Sequence, residues 1–463
     1  MDLVVGFDLD LTLVDPRPGA RKVWQRVAED LAVPIDVELV LSRMGPPLEE
    51  ELAHWFPAER VHEAAETYRR HSADFGASDV VAMPGAHEAV AAVRRHGGRV
   101  VIATAKKAEL ADTNLRALGL EVDALHGWCW GETKGDAMLT EGAQIYVGDH
   151  PLDVVGARRA DAVSVGVRTG GTPPDEADVI LDDLTTFPEW LDGYVLEQRL
   201  SLLDKGIREL GSVLVAFSGG ADSAFLLSAA VRALGPANVV AATAVSPSLA
   251  LEELPAAVAF AADLGVRHLT PGTDELSRPG YVANGADRCF HCKATLLDTL
   301  RPLAIEHGMR HVATGTNADD AVAGFRPGIS AAAGRGAVTP LLDAGLTKEQ
   351  VREASRAWGL ATADKPALAC LASRIAYGVQ VTPSRLARVD RVESALRALL
   401  QPTDVRVRDL GDGTARVELD PEALARWDEA AQATVRADFE LVETREFRSG
   451  SMNDLLAGAQ EQA

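Results

Sequence analysis

Residues Val213–Ser223 read VLVAFSGGADS, and this stretch sets the fold class. Val213–Phe217 is a short apolar run rich in β-branched and aromatic residues and bounded by a turn, the pattern of a buried strand. Ser218-Gly219-Gly220 follows as a turn, and Ala224–Leu234 reads as an apolar helix. A strand, a glycine turn and a helix in that order open a parallel α/β layer. Glycine lets the backbone approach a ligand closely, and the first helical turn offers unpaired N–H groups to an anion. The spacing is not GxxxxGK[ST], and no lysine follows.

Working outward, apolar runs at Val239–Ala244 and His311–Ala313 continue the layer, which predicts an α/β domain over 196–380. Upstream, Leu3–Phe7, Val100–Ala103, Ile145–Val147 and Val163–Val167 are separated by helical stretches, predicting another parallel sheet over 1–195. This pattern fades at Thr169–Asp175, TGGTPPD, and closes with an edge strand at Asp178–Leu181. Phe187–Lys205 is amphipathic and reads as the joint. After Pro383 the order becomes helix, strand Val405–Arg408, glycine turn, strand Ala415–Leu419, helix and strand, a small α+β domain over 381–463. No internal repeat is evident.

The 463 residues suit about two or three domains. An apolar fraction of 47% with 25% charged residues excludes a mainly disordered or collagen-like chain. The net charge of −22 disfavours nucleic acid as a partner. No run approaches the roughly 20 apolar residues of a membrane span, and the start, MDLVVGFDLD, lacks signal-peptide character. The expected compartment is the cytoplasm, without membrane partners. Four cysteines there point to metal or catalysis sooner than to disulfides.

Asp8 and Asp10 in FDLDLT follow the first strand, and Asp149 and Asp153 in GDHPLD follow a later one. The carboxyl edge of an open parallel sheet is where ligands bind. Clustered carboxylates repel unless a hard cation such as Mg²⁺ neutralises them. Thr104 ends another strand, and Lys134 adds a positive charge. A nucleophilic carboxylate, a hydroxyl, a lysine and a metal suit phosphoryl transfer. These four segments, in order across 1–190, resemble the haloacid dehalogenase (HAD) superfamily, closest to its phosphoglycolate-phosphatase-like branch. The resemblance implies a Rossmannoid domain with a helical cap over 16–84. It makes Asp8 the nucleophile and Asp10 the general acid/base, with Thr104 and Lys134 holding the phosphate. Asp8, Asp149 and the Asp10 carbonyl would hold Mg²⁺, with Asp153 supporting. ATAKK around Thr104 departs slightly from the TNK or TSK form.

SGGADS resembles the PP-loop of ATP pyrophosphatases, of the adenine nucleotide alpha hydrolase-like fold. AVSPSLALEEL, ADRCFHCKATLLD, GTNADDAVAGFRPG, PLLDAGLTKEQVR, DKPALACLASRIAYG and FRSGSMND, in that order, are similar to the LarE family. The resemblance implies that Ser218, Gly219, Gly220, Asp222 and Ser223 cradle the pyrophosphate end of ATP. It places Asn317, Asp319 and Asp320 near the adenylation site and Mg²⁺. Arg406 and Arg408 in VRVR would hold a substrate phosphate, against the plainer reading of a solvated strand face. Glu418 would bind a metal. The implied activity is ATP-dependent adenylation of a carboxylate on a pyridinium mononucleotide and its conversion to a thiocarboxylate, a step towards a nickel-pincer nucleotide. LarE relatives commonly form homo-oligomers, so the same is expected here.

Cys289 and Cys292 stand in RCFHCK and Cys370 in ACLASR, while Cys129 lies between Trp128 and Trp130. A thiolate at Cys370 can attack an acyl-adenylate. Three cysteines can hold a 4Fe–4S cluster with one iron open. Sacrifice of the Cys370 sulfur beside a structural or zinc-binding CxxC, and three inert thiols, are the competing readings. Cys129 is expected to be packed. Two alternatives use the same residues for other ends: a PP-loop thiolase or amidase with another acceptor such as tRNA, and a HAD-like domain that is a docking module. The expected product of the fusion is a bifunctional enzyme whose phosphatase acts on a small phosphate monoester.

Overall fold

The computed structural model describes residues 2–44, 47–72, 75, 79–322, 327–366 and 369–448. Two quoted segments, GTNADDAVAGFRPG and DKPALACLASRIAYG, lie in part outside the described residues, and of FRSGSMND only Phe447 and Arg448 lie inside them. The chain divides into two compact units, Met1–Val195 and Leu196–Ala463.

The first unit contains β1 (Val4–Phe7), β2 (Val14–Asp15), β3 (Val81–Ala82), β4 (Arg99–Ala103), β5 (Ala124–His126), β6 (Ile145–Gly148), β7 (Val163–Val167) and β8 (Val179–Leu181). Six of these form a parallel sheet in the order β5-β4-β1-β6-β7-β8. Side chains alternate between two apolar layers. Val5, Phe7, Ile102 and Val147 enter one, while Val4, Val101, Ala103 and Tyr146 enter the other. A parallel sheet covered on both faces needs that apolar content on every position. Four helices, Arg17–Leu31, Val37–Ser42, Leu48–Leu52 and Ala58–His71, are inserted between β2 and β3, which pair antiparallel. They pack around their own core of Val23, Trp24, Val27, Leu52 and Ala64.

The second unit begins with a parallel sheet of β9 (Val213–Ala216), β10 (Val239–Ala242), β11 (Arg267–Leu269) and β12 (His311–Thr314), in the order β11-β10-β9-β12. The strand expected over Val239–Ala244 ends at Ala242, and the Thr243 hydroxyl just beyond it donates to the Phe217 carbonyl at 2.7 Å. The joint helix runs further than expected, over Phe187–Leu210. Val195 packs in the first unit's core and Leu203 in the second unit's core.

The C-terminal part has β13 (Val405–Asp409), β14 (Thr414–Leu419) and β15 (Leu441–Glu446), with β13–β14 antiparallel and β14–β15 parallel. The helix Pro383–Leu400 packs on them. Proline at its first position and the Thr382 hydroxyl, which accepts from the Arg385 amide at 3.3 Å, start it. Glu393 on this helix is 1% exposed and receives the 3% exposed Arg374 guanidinium at 2.9 Å. The same carboxylate accepts from the Val407 amide at 2.9 Å and from Arg397 at 3.2 Å.

Removing one partner of such a buried pair strands the other charge. Glu393→Ala is therefore expected to destabilise the second unit by about 3–5 kcal/mol in urea unfolding. A loss below about 1 kcal/mol, typical of surface changes, would contradict this pairing.

Candidate active sites

In the first unit the chain leaves β1 into Asp8, whose amide donates to the Val147 carbonyl at 2.8 Å and so stays at the sheet edge. Asp8, Thr104, Lys134, Asp149 and Asp153 are all buried. The Lys134 ammonium donates to Asp8 at 2.7 Å and to Asp153 at 2.6 Å. Carboxylate oxygens of Asp8, Asp149 and Asp153 lie within 4.8 Å of one another, the one such three-ligand cluster among the described residues. Asp153 is aimed by the His150 amide, which donates to it at 3.0 Å. The Thr12 hydroxyl donates to Asp149 at 3.3 Å.

Burial, then the neighbouring carboxylates, push the Asp149 pKa up. Burial pushes Asp8 up too, against the pull of Lys134. The Lys134 pKa is held well above its ordinary value by Asp8 and Asp153 despite burial. Three carboxylates around one ammonium leave two negative charges uncompensated when all are ionised. A divalent oxygen-seeking cation fits that deficit. Gly170 lies against this cluster: a Cβ there would come within 1.9 Å of an Asp149 oxygen, so a side chain would displace that carboxylate.

Asp10 accepts from Lys106 at 2.6 Å, and the same ammonium donates to Asn114 at 2.7 Å. Both, with Tyr68 from the inserted helices, line a cavity of about 110 Å³ at Asp10. Sequence reasoning missed Lys106, Asn114, Tyr68 and Gly170. Lys106, the first lysine of ATAKK, was visible only within a departure from a pattern, and the others have no local signal.

In the second unit Gly219 takes φ +75°, and Gly220 precedes the helix Ala221–Leu234 with no side chain to cap its amides. Ser218 and Ser223 close the loop: the Ser218 amide donates to the Ser223 hydroxyl at 3.3 Å, and the two hydroxyls are 3.1 Å apart. Lys365 clasps the loop from outside, donating to the Gly219 carbonyl at 3.0 Å and to Glu253 at 2.7 Å. Asn317 donates to Asp222 at 3.2 Å, and its amide donates to Asp320 at 3.3 Å. Burial raises the Asp222 pKa. Asp319 is turned away, accepting from the Lys348 amide at 2.8 Å. Ser218, Gly220, Asp222, Ser223 and Asp320 line a cavity of about 340 Å³, to which Lys293 adds a cation.

A second cavity of about 230 Å³ shares Ser218, Gly220, Ala244, Leu249 and Leu296 with the first. It adds Cys292, Cys370, Glu275, Arg374 and Arg397. Cys289 and Cys292 sit on the first turns of the helix Arg288–Glu306, and Cys370 caps the short helix Leu371–Arg374. A buried clamp fixes these segments together. Arg288 donates to Asn284 at 2.5 Å and to the Ala372 carbonyl at 2.9 Å. Asn284 donates to the carbonyls of Ile375, Ala376 and Val379 at 3.2, 2.8 and 2.9 Å. The Leu371 amide donates to the Ser248 carbonyl at 2.9 Å.

Burial, then the charges of Cys370, Glu275 and Cys289, push the Cys292 thiol up to about 12. As placed, the three sulfurs do not form a single-ion cluster within 4.8 Å. An iron–sulfur cluster spreads its ligands over several metal ions and suits a wider set of thiols. Cys129 is half-buried, its thiol donating to the Gly127 carbonyl at 3.4 Å.

Arg406 and Arg408 are buried, which overturns the solvated-face alternative. Neither lines either cavity; Arg374 and Arg397 line the second. Arg408 pairs with Glu418 at 2.8 Å and donates to the Ser373 carbonyl at 2.8 Å, bracing the segment after Cys370. Arg406 donates to the Val405 carbonyl at 2.7 Å. Burial, then the charge of Arg374, lowers the Arg406 pKa to about 10. Glu418, expected to bind a metal, is fully buried between the guanidinium groups of Arg408 and Arg445. Those two charges already neutralise it, so the structure replaces the cation with arginine.

Mg²⁺ binding at Asp8, Asp149 and Asp153 is expected to stabilise the protein by about 2.7 kcal/mol at 100 times its Kd. The check is thermal unfolding across a Mg²⁺ titration, with Asp149→Asn abolishing the response. An unchanged midpoint in the unaltered protein would contradict the site.

Residues 5–123 match the haloacid dehalogenase-like hydrolase family. An uncharacterised protein of Synechocystis sp. is 44% identical over 233 residues, covering 50% of this chain and 85% of that protein. The pyridinium-3,5-bisthiocarboxylic acid mononucleotide synthase of Lactiplantibacillus plantarum is 34% identical over 272 residues, 57% of this chain and 97% of that enzyme. Among solved structures, a putative phosphatase from Clostridium difficile is 24% identical with a TM-score of 0.38, covering 41% of this chain and 99% of that one. No helix among the described residues is long and apolar enough to cross a membrane. The chain belongs to the family of the pyridinium-3,5-bisthiocarboxylic acid mononucleotide synthase, the LarE family, and is an enzyme that also carries a haloacid dehalogenase-like hydrolase domain in its N-terminal part.

Proposed function

We propose that the second unit is an ATP-dependent sulfur transferase that thiolates a carboxylate of a pyridinium mononucleotide, and that the first is a Mg²⁺-dependent phosphatase for a small phosphate monoester. The carrying observation is that two cavities share Ser218 and Gly220 in their walls, one lined by the glycine loop and the other by Cys292 and Cys370. The loop amides and the helix N-terminus bind the departing pyrophosphate. Asp222 and Asp320, which line that cavity, hold Mg²⁺ against it. A substrate carboxylate oxygen attacks the α-phosphorus of ATP, releasing pyrophosphate and forming an acyl-adenylate. Sulfur then attacks the acyl carbon, and AMP leaves with the bonding electrons.

Cys289, Cys292 and Cys370 are the residues that would hold a 4Fe–4S cluster, which supplies a bound sulfide for this attack. Cys292 and Cys370 line one cavity and Cys289 stands three residues before Cys292 on the same helix, which supports the cluster over three inert thiols. Arg374 and Arg397 offer guanidinium forks to an anionic substrate in the same cavity. Arg408 braces the segment after Cys370 through the Ser373 carbonyl, so Arg374 and Arg397 are the arginines that meet the substrate in this cavity.

In the first unit an Asp8 oxygen attacks phosphorus, the ester bond breaks, and Asp10 gives its proton to the leaving oxygen. Asp10 then takes a proton from water, which releases phosphate and restores Asp8. Lys106 holds the Asp10 carboxyl in place. Mg²⁺, when bound, neutralises charge on the transferring phosphoryl group. The setting is the cytoplasm and the chain is a homo-oligomer.

Asp8→Asn is expected to remove phosphate-ester hydrolysis by at least about 10³-fold while ATP-dependent pyrophosphate release continues. Loss of both, or of neither, would contradict separate sites. Protein purified without oxygen should contain about four irons per chain and lose them on Cys289→Ala. Iron-free protein that still thiolates substrate would overturn the cluster.

A further inference from the structure

Trp128 is 68% exposed, the one exposed aromatic side chain among the described residues. It also holds φ +57°, a region that bulky residues avoid. The surroundings enforce this conformation. The Trp128 amide donates to the Lys106 carbonyl at 3.0 Å, and the Cys129 amide donates to the Thr104 carbonyl at 2.9 Å. Gly127 packs so closely on Ala108 that a Cβ would meet its nitrogen at 2.4 Å. The exposed indole is thus fastened to the segment that carries Thr104 and Lys106. Trp130, two residues on, lies 5.6 Å from the His150 ring, with the Lys134 ammonium 5.9 Å from its centroid. A strained, exposed aromatic held beside a reaction centre is a mark of function sooner than of packing.

An exposed indole on the loop that is bonded to the Thr104 and Lys106 carbonyls offers a stacking face to a planar ring. On the reading proposed above, the second unit handles molecules of one kind: AMP and a pyridinium mononucleotide each join an aromatic ring to a ribose carrying a phosphate monoester.

We infer that the first unit's substrates are aromatic mononucleotides, with Trp128 as the stacking platform for the ring. This rests on the phosphatase reading of that unit. Hydrolysis breaks the bond between phosphorus and the ribose oxygen. The phosphoryl passes to Asp8 and then to water, and the ribose oxygen takes the Asp10 proton. The products are a nucleoside and inorganic phosphate.

The test compares nicotinic acid mononucleotide, AMP and ribose 5-phosphate as substrates of the full chain with Mg²⁺. The unaltered protein should favour both ring-bearing substrates over ribose 5-phosphate by about tenfold or more in kcat/KM. Trp128→Ala should collapse that ratio towards one, mainly through KM, and Trp128→Phe should restore most of it. Equal rates for all three substrates, or a ratio unchanged in Trp128→Ala, would overturn the inference while leaving the phosphatase standing. Absence of turnover on every phosphate ester, with pyrophosphate release intact, would overturn the phosphatase reading and this inference with it.

Discussion

A parallel strand has to hand its chain to a crossover at its carboxyl end, and both units build their chemistry on that constraint. The first strand of each parallel sheet lies in its interior, flanked on both sides by later strands. Loops from neighbouring strands therefore converge beside the loop that leaves the first strand. Asp8 meets Lys134 and Asp153 in this way, and Ser218 meets Thr243, Gly315 and Asp320. Gly315 passes so near the glycine loop that a Cβ would lie 2.9 Å from the Ser223 nitrogen.

The two sites share an electrostatic design. Each contains ionisable groups whose charged forms burial disfavours. Asp8 and Asp149 are pushed up by burial beside a single lysine. Cys292 is pushed up among two other thiols and Glu275. Such groups stay costly until a cation arrives, so ligand binding and site assembly are coupled. Arginines solve the same problem elsewhere in the second unit. Glu418 and Glu393 are each matched by two guanidinium groups, which makes the C-terminal sheet a brace for the Cys370 segment.

What was legible in the sequence was local. FDLDLT, GDHPLD and SGGADS carry their chemistry on consecutive residues at strand ends, where turn geometry dictates the residue type. The alternating apolar runs likewise announced the strands. The Asn284–Arg288 clamp, the Lys106–Asp10 pair and the Gly170 approach join residues far apart in the chain, and no short pattern marks them. Arg406, Arg408 and Glu418 show the opposite difficulty. Their residue types suggested a ligand site, but the cross-strand register of β13 and β14 places Arg406 opposite Glu418 and brings Arg408 within reach of that carboxylate, so the charges meet one another. Asp319 stands beside Asp320 in sequence, yet its carboxylate accepts from the first residue of the helix Lys348–Ala357.

The most direct measurement incubates the full chain, without oxygen, with ATP and a pyridinium dicarboxylate mononucleotide, and follows products by mass spectrometry. The unaltered protein should release pyrophosphate and AMP and exchange one substrate oxygen for sulfur. Cys370→Ala should still release pyrophosphate but form no thiocarboxylate. Thiocarboxylate formed equally well without Cys370, or no ATP-dependent pyrophosphate release from the unaltered protein, would contradict sulfur transfer at this centre.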